Sequence, residues 1–193
     1  MNSLINLSDQ QLLHLYLDGN SRALSSLICR YKDKIYTSIY LLVSDKYLAE
    51  DIFQDSFLRV INTLKSGRYS DEDKFLPWVM RIAHNLCMDH FRKIKRTPTV
   101  KTIDDRNIFE VLNFVEPGAD HRMMQRQSHD RVKKMVAMLP ERQREVVIMR
   151  HYAGLTFKEI AILTKCSLNT ALGRMHYALT NLRRMMVEKK IEL

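Results

Sequence analysis

The stretch from Leu139 to Arg184 constrains this chain most. It reads LPERQREVVIMRHYAGLTFKEIAILTKCSLNTALGRMHYALTNLRR. Two helix signals, Thr156–Leu163 and Ser167–Met186, are separated by the tripeptide Thr164–Cys166. A short helix, a tight turn and a longer basic helix make the outline of a helix-turn-helix, whose second helix is shaped to enter the major groove of DNA. Thr156 with Glu159 forms a capping-box pattern, and Ser167 is placed to cap the final helix. The apolar side of that helix is expected to be Leu168, Ala171, Leu172, Met175, Leu179 and Leu182.

The rest of the chain is also helical in pattern. With 5 glycines and 4 prolines in 193 residues, and no run of β-branched residues alternating with polar ones, the expected fold class is all-α. Hydrophobic content of 46% is ample for packed cores. The net charge of +9 is unevenly placed: residues 80–96 and 123–193 are basic, while 97–122 are acidic on balance. Basic blocks attract polyanions by releasing counterions, so nucleic acid is the natural partner. Three widely separated cysteines suggest no disulfide framework and a reducing compartment. The start lacks a signal-peptide pattern and no apolar run is long enough to span a bilayer, so a cytoplasmic protein without membrane insertion is expected.

Four helices are expected in the first half. Ser8 caps the first and Gly19 stops it. Leu24, Leu27, Ile28, Tyr31, Ile35, Ile39 and Leu42 give the second a single buried stripe. The third follows Asp45, a candidate N-cap, and runs to Ser66–Gly67 with Glu50, Asp51 and Asp55 on an acidic side. Those carboxylates complement the helix dipole, or they form a docking face for a basic partner; sequence physics alone favours the dipole. After the polar loop Ser66–Lys74, Pro77 opens the fourth helix in its first turn. Val79, Ile82, Ala83 and Leu86 are expected inside, and Arg81, Asn85, Asp89, Arg92 and Arg96 form a polar stripe that turns basic. Trp78 reads as core, or as an aromatic able to stack on an unpaired base.

His84, Cys87 and His90 recur every three residues. At about 100° per residue they share no face, so no metal and no cofactor is expected. No Gly-rich phosphate loop, nucleophile elbow or HExxH pattern occurs, and the chain does not read as an enzyme. The segment TPTVKTIDDRNIFEVLNFVEPGAD breaks the helical pattern yet is too apolar for a mere spacer. A helix from about Asp120 to Leu139 and another over Glu141–Tyr152 precede the helix-turn-helix. Gly173 inside the last helix costs about 1 kcal/mol against Ala. A close approach to a DNA backbone or to another helix would justify it.

Two blocks now match one family. AEDIFQDSFLRV followed by FLPWVMRIAHNLCMDHFRK, and LPERQREVVIMRHYAGLTFKEIA followed by the final helix, resemble bacterial RNA polymerase sigma factors of the extracytoplasmic-function group. The resemblance implies a domain over residues 1–97, a linker over 98–121 and a helix-turn-helix domain over 122–193. It implies that Asp51, Gln54, Asp55 and Phe57 dock on core polymerase, overturning the dipole-only reading. It implies that Arg68, Tyr69, Lys74, Phe75, Trp78, Arg81, Asn85 and Arg92 read and open the −10 element. It implies that Thr156, Lys158, Ser167, Asn169, Thr170, Gly173, Arg174 and His176 read the −35 element. Core RNA polymerase, promoter DNA and an anti-sigma factor are the implied partners of a chain that is monomeric when free. Many relatives carry a basic residue and then Ser before the arginine of the final helix, where this chain has Leu172 and Gly173. A leucine there meets a thymine methyl or belongs to the core. Two other classes compete: a free-standing DNA-binding regulator, which has no need of the acidic helix, and a nucleic-acid enzyme, for which no catalytic constellation exists.

Overall fold

The computed structural model describes residues 4–69, 74–96 and 131–188, and among them every regular element is a helix. By contacts the chain divides into two compact units. The first holds α1 (Asp9–Leu17), α2 (Ser21–Val43), α3 (Lys46–Lys65) and α4 (Phe75–Arg96). The second holds α5, described over 131–137, then α6 (Glu141–Val147), α7 (Phe157–Leu163) and α8 (Leu168–Glu188).

In the first unit α1 packs on α2, and α2 on α4. Ser8 caps α1 as expected, within a capping box: the Gln11 N–H donates to Ser8 Oγ (3.3 Å) and the Ser8 N–H to Gln11 Oε1 (2.8 Å). Gly19, at φ +99°, ends it in a Schellman pattern, with the Asn20 N–H reaching Leu15 O at 2.9 Å. The stripe on α2 buries Leu24, Leu27, Ile35, Ile39 and Leu42. On α4 the inner face is rotated from the expected one. Phe75, Val79, Met80, Ala83, His84 and Cys87 are buried, while Ile82 and Leu86 are only half-buried. Ile82 stays partly accessible because this flank of α4 opens onto a cavity shared with α3.

In the second unit α6 and α7 both pack on α8. The expected helix over Glu141–Tyr152 is present but changes pitch: Ile148–Tyr152 is a π-helical turn, in which the Ala153 N–H donates to Ile148 O, five residues back, at 3.2 Å. This widened turn lets Val146, Val147, Ile148 and Met149 all be buried in succession. Gly154, at φ +75°, follows. On α8 the buried residues are Ala171, Ala178 and Met185. Of the stripe expected from sequence only Ala171 is buried; Leu168, Leu172 and Leu179 are exposed. Small alanines face inward because α6 and α7 lie close, and the larger leucines are left outside. The apolar segment within 98–121 lies outside the described residues, as do residues 70–73 of the Ser66–Lys74 loop.

Candidate nucleic-acid interface

Three surfaces carry the residues singled out from sequence. The first is on α3. Tyr47, Asp51, Gln54 and Leu58 recur at four, three and four residues, so they share one stripe, with Asp55 beside it. All five are exposed. Phe57 departs from expectation: it is 7% exposed, and its ring meets Phe53 edge-on at 4.9 Å, which in turn meets Tyr36 at 5.9 Å. Phe57 therefore anchors α3 from beneath and is unavailable for contact. The apolar groups that the face does present are Tyr47, 78% exposed, and Leu58, 58% exposed. Sequence reasoning passed over both, although their spacing from Asp51 and Gln54 carried the signal.

The second surface is an open cavity of about 320 Å³ between α3 and α4. Trp78, Arg81, Ile82 and Asn85 line it from α4, and Arg59, Asn62 and Thr63 from α3. The three α3 residues were not picked out, because the reading of that helix followed only its apolar and acidic sides. Trp78 is half-buried, with the Tyr69 ring at 4.3 Å and the Phe75 ring at 6.0 Å. Phe75 itself is fully buried and also meets Tyr31 at 6.0 Å, so it supports Trp78 from behind and is not a surface contact. Arg68 is exposed, its Nε donating to Ser66 Oγ at 3.1 Å, and Lys74 is exposed just ahead of α4. The polar stripe Arg81, Asn85, Asp89, Arg92 and Arg96, whose first two members line the cavity, is exposed throughout. Arg92 pairs with Asp89 at 2.9 Å, with both side chains more than half accessible. Such an exposed pair is worth at most about 1 kcal/mol. Cys87 and His84 are buried in the core, His90 is half-buried, and among the described residues no group of three or more His, Cys, Asp or Glu is placed to hold a metal ion.

The third surface is the helix-turn-helix. Arg150 Nη1 donates to Leu155 O at 2.9 Å and its guanidinium lies over the Phe157 ring at 5.2 Å, which fixes the entry to α7. Thr156 caps α7: its Oγ1 accepts from the Glu159 N–H (3.3 Å), and its N–H and Oγ1–H both donate to Glu159 Oε2 (2.8 Å each). The turn closes with Lys165 at φ +52° and with the Cys166 N–H donating to Ala161 O at 2.9 Å. Ser167 caps α8, its Oγ accepting from the Thr170 N–H at 3.0 Å and lying 2.8 Å from Thr170 Oγ1. Thr156, Ser167 and Thr170 are thus engaged in building helix ends. Lys158, Asn169 and His176 are exposed. A Cβ added at Gly173 would meet nothing within 4 Å, so no neighbouring helix explains this glycine. Arg174 is half-buried, and its Nη1 is buried with no hydrogen-bond partner among the described residues. Leu172 is 43% exposed, which removes it from the core.

The chain matches known sequences over both units. Residues 27–97 match Sigma-70 region 2, and residues 129–182 match Sigma-70, region 4. The RNA polymerase sigma-H factor of Pseudomonas aeruginosa is 29% identical over 175 residues, 88% of this chain and 89% of that protein. The ECF RNA polymerase sigma-E factor of Salmonella typhimurium is 27% identical over 179 residues, 89% and 91% of the two chains. The fold is shared with the sigma factor RpoE of Bartonella quintana, solved in complex with the anti-sigma factor NepR (TM-score 0.61, 20% identity, covering 84% of this chain and 96% of that one). With regions 2 and 4 matched in order and relatives aligned almost end to end, the chain belongs to the extracytoplasmic-function sigma factors of RNA polymerase.

Proposed function

We propose that the three surfaces divide the work of a promoter-specificity subunit, with residues 1–97 acting on core polymerase and the −10 element, 98–121 as linker and 122–193 on the −35 element. The sigma factor binds core RNA polymerase and recognises promoters. The exposed stripe of α3 docks on the polymerase: Asp51, Asp55 and Gln54 meet a basic surface while Tyr47 and Leu58 supply apolar contact. The cavity between α3 and α4 holds one unpaired base of the −10 element. Its volume is at the small end of ligand pockets, and it offers an indole for stacking, two guanidiniums for the backbone and two amides for base edges. Arg68, Lys74, Arg92 and the basic end of α4 follow the strand, and α7–α8 read the −35 element. The chain acts by binding and not by catalysis, in the cytoplasm, as a monomer until it meets polymerase. No helix among the described residues is long and apolar enough to cross a membrane. An anti-sigma factor, of the kind solved with the Bartonella protein, would hold it inactive.

The observation that carries this reading is the exposed α3 stripe, because a DNA-binding regulator acting alone has no need of it. The test is the double change Asp51→Lys, Asp55→Lys. It should abolish co-purification with core polymerase while far-ultraviolet circular dichroism stays helical, since both side chains are exposed. Truncating desolvated charge pairs at an interface costs about 2–5 kcal/mol each. Undiminished binding by a folded double mutant would remove α3 as the docking face.

A further inference from the structure

If α8 reads the −35 element, the structure narrows which of its side chains touch bases, and the set is smaller than the one the resemblance implies. The packed face of α8 is Ala171, Ala178 and Met185, seven residues apart. At about 100° per residue the face directly opposite carries Asn169, Gly173, His176, Thr180 and Arg183. Of these, Asn169 and His176 are exposed and lie in the first half of the helix, where recognition helices meet base edges. Leu172 sits on the shoulder of that face, 43% exposed. Arg174 lies roughly 140° round from its centre, beside the packed side, with Nη1 buried. Ser167 and Thr170 are engaged with each other in the cap.

We propose that this sigma factor reads its −35 element through A·T pairs, with Asn169 donating and accepting at an adenine edge and Leu172 packing on the thymine methyl of a nearby pair. An asparagine amide pairs bidentately with adenine N6 and N7, and an aliphatic side chain recognises the C5 methyl that only thymine carries. The two residues are separated by about 4.5 Å along the helix axis, close to the spacing of successive base pairs. Gly173, between them and His176, leaves open space where a side chain would stand off the groove floor. No guanidinium on the first two turns of this face is placed to take a guanine, the commonest arginine target.

The test uses full-length protein assembled with core polymerase and a library of promoters randomised across the −35 element. Wild-type holoenzyme should enrich adenine at one position and thymine at a neighbouring one. Asn169→Ala should lose the adenine preference alone, by about 5- to 150-fold, the equivalent of 1–3 kcal/mol. Replacing the selected thymine by uracil removes only the methyl; it should weaken wild type and leave Leu172→Ala unchanged. Arg174→Ala should keep the selected sequence. Asn169 and Leu172 are exposed helix positions where alanine favours the fold, and retained core binding confirms folding of all three variants. If selection survives Asn169→Ala and Leu172→Ala but vanishes in Arg174→Ala, α8 remains the reader and this assignment of bases is overturned. If the wild-type holoenzyme enriches no −35 sequence, the reading of α8 itself falls, and the base assignment with it.

Discussion

Two cysteines on the first unit hold the same thiol in opposite surroundings. Cys29 is exposed on α2, whereas Cys87 is fully buried on α4, and burial pushes its pKa up to about 12. Only the thiolate reacts, so Cys87 should be inert toward a disulfide reagent at pH 8 in the native protein and should appear only on unfolding, while the exposed Cys29 is modified at once. Early reaction of Cys87, located by peptide mapping, would contradict its place in the core. A partly exposed polar cluster lies between α1 and α2, where Asp9 accepts from Arg30 Nη1 (2.6 Å) and from the Tyr31 hydroxyl (2.7 Å). Burial, then the bond to Asp9, raise the Tyr31 pKa from 10.0 to about 12. The unfolded chain releases this proton near pH 10 and the folded one later, so the stabilisation is whole below pH 10 and is lost as pH rises towards 12. Tyr31→Phe should therefore show a smaller fall in urea-unfolding stability between pH 10 and 12 than wild type. At this scale Asp51, Asp55, Arg81 and Asn85 were legible as surface groups from spacing alone. Phe57 and Phe75 were not, because a family motif marks that an aromatic matters without saying whether it touches the partner or props up the residue that does.

Among elements, the helix ends were the most readable. Ser8, Gly19, Thr156 with Glu159, and Ser167 all act where local sequence places them, since a cap needs only its own few neighbours. The turn of the helix-turn-helix adds a cost that sequence did not reveal: Lys165 adopts φ +52°, a conformation natural to glycine. Two substitutions should therefore move stability in opposite directions. Thr156→Ala should lower it by about 1 kcal/mol through loss of the cap. Lys165→Gly should raise it by up to about 1 kcal/mol, as the left-handed backbone is relieved. Thermal unfolding of the two variants checks both, and a Lys165→Gly protein less stable than wild type would mean that the lysine side chain makes a compensating contact. The π-turn at Ile148–Tyr152 had no local signal: the five consecutive buried residues Glu145–Met149 cannot share one face of a regular α-helix, and the turn widens where that run ends.

For the whole molecule, the proposed function includes opening a promoter, which requires an unpaired base to be held outside the stack at a cost of a few kcal/mol. The polar segment Ser66–Lys74 precedes α4 in the sequence, and its Tyr69 rests against Trp78. Replacing the loop with a Gly/Ser linker of equal length should leave core binding intact and block promoter opening. A promoter carrying a pre-opened mismatch bubble should partly restore transcription, because the unpairing cost is already met. Permanganate reactivity of thymines on the duplex promoter gives the direct readout. Normal reactivity with the replaced loop would move the melting role to α4 itself.

The sequence by itself determined the helical class, the order of the helices, their caps and the uneven basic charge. These rest on composition and on contacts within a few residues of chain. It also carried two family blocks in order, which was enough to indicate a sigma factor. Only the tertiary structure decided which side of α4 and of α8 faces inward. Periodicity locates an apolar stripe but not its neighbour, and α8 carries two such stripes, one of leucines and one of small residues. Close packing by α6 and α7 selected the small one, left Leu172 in the open and drew Arg174 to the flank. The cavity between α3 and α4 had the same origin, since Arg59 and Asn62 join Trp78 and Asn85 only when these two consecutive helices are set side by side.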